Sequence, residues 1–186
     1  MYEAALDQVW DSFADHLAGD RMGTFLVVSA APLGTAGRAA CRKTAEALGY
    51  GPGGTVFAFL EAAGTGSDAA AADALEVAAE TAVPAPATAP GMPEAADALD
   101  GGARLDAQSL FLLAEGADPL CIVCADRDAA EALSAAYRTP LALESRSNLF
   151  GRPFVAFDDF EALLKEETGK RRAWALLRTL PKFGER

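Results

Sequence analysis

Four short apolar runs, each separated from the next by a stretch with helical character, constrain the fold of this 186-residue chain most strongly. The runs are TFLVVSA (24–30), TVFAFLE (55–61), LCIVCA (120–125) and PFVAF (153–157). The first of them is a short, continuous apolar run apart from Thr24 and Ser29 near its ends, as expected of a strand that is covered on both faces. Strands joined through helices imply parallel crossovers. The sequence therefore predicts an α/β fold, a three-layer α/β/α sandwich around a central four-stranded, mainly parallel sheet.

Helical patterns lie before, between and after these runs. Apolar residues recur at three- and four-residue spacing from Tyr2 to Leu17, which predicts an amphipathic first helix that ends near Gly19. The other predicted helices cover residues 38–48, a segment around 110–114 with Asp106 as its N-cap, and residues 127–137, 159–165 and 168–180.

Residues 62–104 interrupt this alternation. An Ala-rich stretch that could form one helix is followed by a Pro/Gly/Ala-rich linker with few side chains that could pack into a core. We predict a single domain over residues 1–186 that carries a tolerated surface insertion at about 62–104. A functional lid is the alternative interpretation of the same segment.

Charge is distributed unevenly along a chain whose net charge is −11. Residues 138–186 hold ten Lys and Arg against seven Asp and Glu, whereas residues 1–137 hold six against twenty. Because polyanion binding requires positive potential at the phosphates, the acidic remainder disfavours strong non-specific DNA binding. The basic C-terminal segment leaves open a weak nucleic-acid or protein partner, although a solvated helix face is the simpler interpretation.

Several features predict a cytoplasmic protein with no membrane partner. No apolar run approaches the length of a membrane span, and the acidic, amphipathic first twenty residues do not resemble a signal peptide. Three cysteines, an odd number, give no disulfide framework and suit a reducing compartment. The high content of Ala, Gly, Asp and Arg resembles that of high-GC bacterial genomes.

Three segments of the chain follow a recognisable order of motifs. The residues that carry them are Ala31 and Pro32; Pro119, Ile122, Val123, Ala129, Ala132 and Leu133; and Lys170, Trp174 and Leu177. These spacings resemble uracil-DNA glycosylases of the bacterial thermostable type, which carry a Gly-Glu-Ala-Pro-Gly turn, a Pro-x-x-Ile-Val-x-x-Gly-x-x-Ala-x-x-Ala-Leu segment and a closing Lys-x-x-x-Trp-x-x-Leu pattern. The resemblance covers residues 24–60 and 106–180 and implies a glycosylase-like fold.

The chain departs from that family at the positions that carry its chemistry. The acid of the first turn falls on Ala30, a family glycine becomes Asp126, and the late His-Pro pair becomes Asp158-Asp159. The resemblance implies that the acid positions water and that the histidine donates to the departing base. Ala30 cannot position water, and an ionised Asp158 would repel the leaving anion. Glycosylase activity is therefore not expected.

No other group in the sequence supplies the missing chemistry. The only histidine, His16, is predicted to lie on the surface of the first helix, remote from both turns. The iron–sulfur cluster of those glycosylases needs four cysteines, so no cofactor is predicted. Cys121 and Cys124 form a C-x-x-C pair, but positions three apart in a strand face opposite sides of the sheet. We interpret them as buried structural thiols and predict no metal site.

Three carboxylates nevertheless lie where open α/β sheets bind ligands, just past predicted strand ends. They are Asp126, Asp158 and Asp159. Such a group could bind Mg²⁺ or act as acid and base. Because each also precedes or opens a helix, N-capping is the simpler interpretation.

Five further residues are candidates for binding a ligand. The turn PLGTAGR (32–38) precedes a helix, so its backbone N–H groups could receive an anion, although it lacks P-loop and dinucleotide-binding signatures. The candidates are Pro32, Gly34 and Arg38 in this turn, and Lys170 and Arg171 in the basic C-terminal segment.

Two functional hypotheses follow. The first is a non-catalytic, glycosylase-like binding or scaffolding module for nucleic acid or a protein partner. The alternative is an enzyme with repurposed acid–base or metal-dependent chemistry at the carboxyl edge of the sheet. The absence of the family's acid and histidine favours the first hypothesis.

Overall fold

The computed structural model describes residues 2–62 and 104–184 and has a mixed α/β architecture. Six helices are described: α1 (Tyr2–Ser12), α2 (Thr35–Ala47), α3 (Ala107–Gly116), α4 (Arg127–Tyr137), α5 (Phe160–Leu163) and α6 (Glu167–Leu177). None of these helices combines the length and the apolar character that crossing a membrane requires. The predicted insertion lies almost entirely at residues 63–103, outside the described residues.

The six described strands form one mixed sheet. They are β1 (Leu17–Gly19), β2 (Phe25–Ser29), β3 (Thr55–Phe59), β4 (Cys121–Cys124), β5 (Arg146–Leu149) and β6 (Arg152–Ala156), in the spatial order β1-β3-β2-β4-β6-β5. The four inner strands are parallel to one another and correspond to the four apolar runs. The two edge strands, β1 and β5, pair antiparallel to their neighbours.

The prediction of a four-stranded sheet is therefore corrected to six strands. Both additional strands are short and lie at the edges, where an apolar run is not needed for burial. Strand β5 has the sequence RSNL and pairs with β6 through a tight turn at Phe150 and Gly151, whose φ angles are +48° and +84°. Its formation depends on this turn and on backbone pairing, because its own side chains carry little apolar character.

The first helix is also shorter than predicted. It ends at Ser12, a 3₁₀ turn covers Ala14–His16, and Leu17 pairs with Ala58 as part of strand β1. His16 is half-buried, and its Nδ1 lies 2.9 Å from the carbonyl oxygen of Phe59. The prediction of a surface histidine on the first helix was therefore wrong, because the chain leaves the helix before reaching it.

Helices cover both faces of the sheet, which explains the continuous apolar runs. In β2, Phe25 and Val27 pack with α2, α5 and α6, whereas Leu26 and Val28 pack with α3 and α4. Alternate side chains thus enter different cores, and all of them are buried.

The same alternation separates the C-x-x-C pair. Cys121 belongs to the core under α2 and α6, and Cys124 belongs to the core under α3 and α4. Both are free, buried thiols, as is Cys41 on α2. The prediction that the pair faces opposite sides of the sheet is confirmed.

Candidate functional site

The turns that follow β2, β4 and β6 meet at the carboxyl edge of the sheet and line an open cleft of about 350 Å³. Residues 30–33, 125–128 and 158–159, together with Glu161, form its lining. Parallel strands bring their carboxyl ends to the same edge, so segments far apart in the sequence converge there. The cleft contains all three candidate aspartates and Pro32.

Asp126 links two of these turns. Its Oδ1 accepts a hydrogen bond from the backbone N–H of Ala129 at 2.8 Å, which makes Asp126 the N-cap of α4. Its Oδ2 accepts from the backbone N–H of Ala30 at 2.9 Å, at the end of β2. Both carboxylate oxygens therefore serve as structural acceptors, and N-capping by Asp126 is confirmed.

Burial raises the pKa of Asp126 above its ordinary value. The hydrogen bonds from Ala129 and Ala30 oppose this shift, and the negative charges of Asp128 and Asp159 add to it. Desolvation is the largest of these effects because the carboxylate has withdrawn from water into the joint between the turns. The partly buried position of Asp126 therefore disfavours its ionised form.

The adjacent pair that follows β6 divides into two roles. Asp159 caps α5, because its Oδ1 accepts from the backbone N–H of Ala162 at 2.8 Å. Asp158 is not a cap, and N-capping was a wrong interpretation for it. Its Oδ1 lies 2.7 Å from both Nε and Nη2 of Arg127, and both side chains are more than half exposed. The carbonyl oxygen of Asp158 also accepts from the backbone N–H of Arg127, so the two turns are held together twice.

The turn before α2 holds an anion that belongs to the protein. The backbone N–H of Gly34, the N-cap residue of α2, donates to Oε1 of Glu161 at 2.7 Å. A Cβ at Gly37 would lie only 2.8 Å from the same oxygen, so glycine gives the carboxylate room. The carboxylate of Glu161 on α5 therefore occupies the helix N-terminus where the sequence suggested that an anion could bind. Sequence reasoning missed Glu161, which is 127 residues away from its partner.

The remaining candidate residues do not form one site. Arg38 donates from Nε to the carbonyl oxygen of Leu33 at 2.7 Å, and its guanidinium carbon lies 5.7 Å from the centre of the Phe59 ring. Lys170 and Arg171 lie on α6 outside the lining of the cleft, each paired loosely with Glu167 at 3.6 and 3.9 Å. The structure therefore brings Pro32 and Gly34 near the aspartates. The three basic candidates, Arg38, Lys170 and Arg171, lie outside the lining of the cleft.

The cleft is strongly acidic. Among the described residues, five carboxylates line it, at Asp126, Asp128, Asp158, Asp159 and Glu161, and the one cation of this lining, Arg127, is already paired. Ionised carboxylates only accept hydrogen bonds, so the cleft offers acceptors and repels phosphate. Within residues 2–62 and 104–184, no three or more His, Cys, Asp or Glu side chains are grouped so that they could hold a metal ion.

No protein-family model matches the chain, and no curated protein matches it.

Proposed function

We propose that this chain is a uracil-DNA-glycosylase-like domain that lacks glycosylase activity and acts as a binding or scaffolding module in the cytoplasm. Two observations support the relationship. The first-turn motif around Ala30 and the late motif at Asp158 line one cleft, as the parts of one former active site would. Helices on both faces of the sheet also suit the three-layer sandwich that the motifs imply.

The observation that carries the loss of catalysis is the use of both oxygens of Asp126 as structural acceptors. Ala30, at the position of the family's acid, contributes only its backbone N–H, and that group is directed to Asp126. The side chain at Asp158, in place of the histidine, is a carboxylate bound to Arg127. Neither position offers a group that positions water or donates a proton to a departing base.

The charge of the cleft favours a protein partner over nucleic acid. Five carboxylates would oppose the approach of a phosphate backbone to this edge of the sheet. Two cations of the basic C-terminal segment are also neutralised within the domain: Arg152 pairs with Glu115 and Asp118, and Arg172 pairs with Glu144. A module that binds through another, less acidic surface fits both observations.

A second candidate function is an enzyme with repurposed acid–base chemistry in the cleft. The raised pKa of Asp126 favours it, because perturbed acids in clefts are frequent at catalytic sites. The two backbone hydrogen bonds that Asp126 accepts favour the structural role instead, since an acid that caps a helix is not free to exchange protons with a substrate.

Two measurements test the proposal. In the first, the protein is incubated with uracil-containing single- and double-stranded DNA beside an active uracil-DNA glycosylase, and we expect no uracil release above the protein-free background. In the second, Mg²⁺ is titrated calorimetrically into the wild type, Asp158→Asn and the control Asp15→Asn, which alters an exposed acid outside the cleft. Uracil release, or Mg²⁺ binding abolished only by Asp158→Asn, would overturn the non-catalytic assignment.

A further inference from the structure

A second concave surface, with the opposite chemical character, lies between α2 and α6. It is a groove of about 340 Å³, lined by residues of α2, α5 and α6. The residues of the two long helices that carry the argument are Ala40, Lys43 and Ala47 on α2, and Lys170, Trp174 and Leu177 on α6. Trp174 is 40% exposed in this groove, so part of its large apolar side chain faces solvent there.

The dimensions of the groove match a helix of about two turns. On α2 the lining residues are spaced from 40 to 47, and on α6 from 170 to 177, which is a rise of roughly 10 Å along each helix. Each helix therefore presents a stripe with i, i+3 or i+4, and i+7 spacing along the groove. An amphipathic helix that binds in a groove contacts it through apolar side chains at the same i, i+3, i+4, i+7 spacing.

The polar groups of the groove make a polypeptide helix a better occupant than nucleic acid. Apart from its two lysines, the only polar side chain in the lining is Thr44, whose hydroxyl donates to the carbonyl oxygen of Ala40 at 2.8 Å. The indole N–H of Trp174 is one further donor, but the described lining holds no Arg, Asn, Gln, Asp or Glu side chain that could read a base edge. A helix needs none, because its backbone hydrogen bonds are satisfied internally.

Charge selects the kind of helix. In a chain of net charge −11, α2 carries three cations against one anion, and so does α6. Lys43 and Lys170 both line the groove; Lys43 has no ion pair within residues 2–62 and 104–184, and Lys170 is paired only loosely, with Glu167 at 3.6 Å. Two cations beside an apolar surface complement an apolar stripe that is flanked by Asp and Glu.

We propose that this groove is the docking site for an acidic amphipathic helix of a protein partner. The inference rests on the proposed binding function and assigns it a surface. Trp174 and Ala47, which are exposed in the groove, would contact the apolar stripe of the partner helix, while Lys43 and Lys170 would pair with its acidic flanks and fix its orientation.

The test uses the whole chain and synthetic peptides of about 14 residues, roughly four helical turns. A panel with an apolar i, i+3, i+4, i+7 stripe of varied Leu, Ile, Phe and Met and acidic flanks is labelled and titrated by fluorescence anisotropy. Scrambled peptides of the same composition lack the stripe and serve as controls. Emission of Trp174, followed in a Trp10→Phe background, reports whether binding occurs at the groove.

We expect saturable binding by at least one member of the panel, with a change in Trp174 emission. The double variant Lys43→Glu/Lys170→Glu should weaken this binding about tenfold or more, with a salt dependence that disappears in the variant. Ala47→Arg should also weaken it, because Ala47 is exposed in the groove and a long side chain there obstructs the stripe. Arg178→Glu, a charge reversal at the exposed end of α6 outside the groove lining, should not.

Several outcomes would overturn the inference: no binding up to about 1 mM peptide, equal binding of the scrambled peptides, or equal effects of Arg178→Glu and the groove variants. Tighter binding of oligo(dT) at Trp174, or a dimer dissociated by Ala47→Arg, would also overturn it, since the occupant would then be nucleic acid or a second copy. Uracil release, measured separately, bears on the proposed function and leaves the peptide result independent.

Discussion

Asp126 is the cleft residue whose removal should cost the most stability. Asp126→Ala deletes the N-cap of α4, a loss of about 1 kcal/mol. It also leaves the partly buried N–H of Ala30 without its acceptor, which costs about 1–3 kcal/mol. Part of this loss is offset, because the variant no longer buries a charge whose pKa is raised. We therefore expect a net decrease of about 2–3 kcal/mol in the free energy of unfolding.

The neighbouring aspartates provide matched comparisons. Asp159→Ala removes only a cap and should cost about 1 kcal/mol. Asp158→Ala removes an ion pair with Arg127 whose two side chains are more than half exposed, so it should cost less than about 1 kcal/mol. Asp126→Asn should fall between the wild type and Asp126→Ala, because an amide has one acceptor oxygen where two N–H groups require acceptors.

The measurement is urea unfolding at neutral pH, followed by circular dichroism, with the dependence on denaturant fitted for each variant. We expect the largest loss of stability for Asp126→Ala, a smaller loss for Asp159→Ala and the smallest for Asp158→Ala. If Asp126→Ala is as stable as Asp158→Ala, the carboxylate of Asp126 does not hold β2 and α4 together.

Three further predictions concern the rest of the fold. Glu115→Gln should lower the free energy of unfolding at neutral pH, and the difference in stability from the wild type should vanish on acidification. A hydrogen bond from Arg152 is the main reason why the pKa of Glu115 is lowered from 4.5. The stabilisation by ionised Glu115 is therefore fully present above pH 4.5 and is lost as the pH falls through the lowered pKa. A difference that stays constant with pH would contradict this. Helix propensity alone predicts that Gly169→Ala stabilises the protein by about 1 kcal/mol. We expect it instead to destabilise by about 2 kcal/mol, because the added Cβ would overlap the carbonyl oxygen of Leu163. A variant with a higher melting temperature than the wild type would refute the overlap. The three cysteines should resist alkylation at mildly alkaline pH until denaturant is added. Burial raises the pKa of Cys41 and Cys121 to about 12 and that of Cys124 well above its ordinary value, so few thiolates form. Labelling of the native protein, measured by mass spectrometry, would contradict this expectation, because it would show that the cores open to the reagent.

The inner strands could be predicted from the sequence because a strand buried on both faces consists almost entirely of apolar residues. Every residue of β2 and β3 is buried, so each strand appears in the sequence as an uninterrupted apolar run. The edge strands carry no such signal. Leu17 satisfies both the helical spacing from Phe13 and the pairing of β1 with Ala58, and only the tertiary contact selects the strand.

The candidate site was predictable in position but not in its connections. The location of Asp126, Asp158 and Asp159 at one edge follows from parallel strands, and local spacing correctly suggested caps at Asp126 and Asp159. The hydrogen bond of Asp126 to Ala30 spans 96 residues, and that of Glu161 to Gly34 spans 127. Such bonds depend on how the turns meet in three dimensions, so no local pattern in the sequence indicates them.

The two departures from the family motifs, at the turn after β2 and at the turn after β4, are physically linked. On the proposed relationship, an acid at position 30 has become alanine, and a glycine at position 126 has become aspartate. Asp126 lies 2.9 Å from the backbone nitrogen of Ala30, so an acidic side chain at position 30 would place a second carboxylate close to one whose pKa is already raised by burial and by neighbouring acids. Two carboxylates that lie close together in a partly buried site disfavour joint ionisation. The carboxylate that secures the turn is therefore compatible with Ala30 and poorly compatible with a catalytic acid there, so the bond that stabilises this cleft also disfavours the family's chemistry in it.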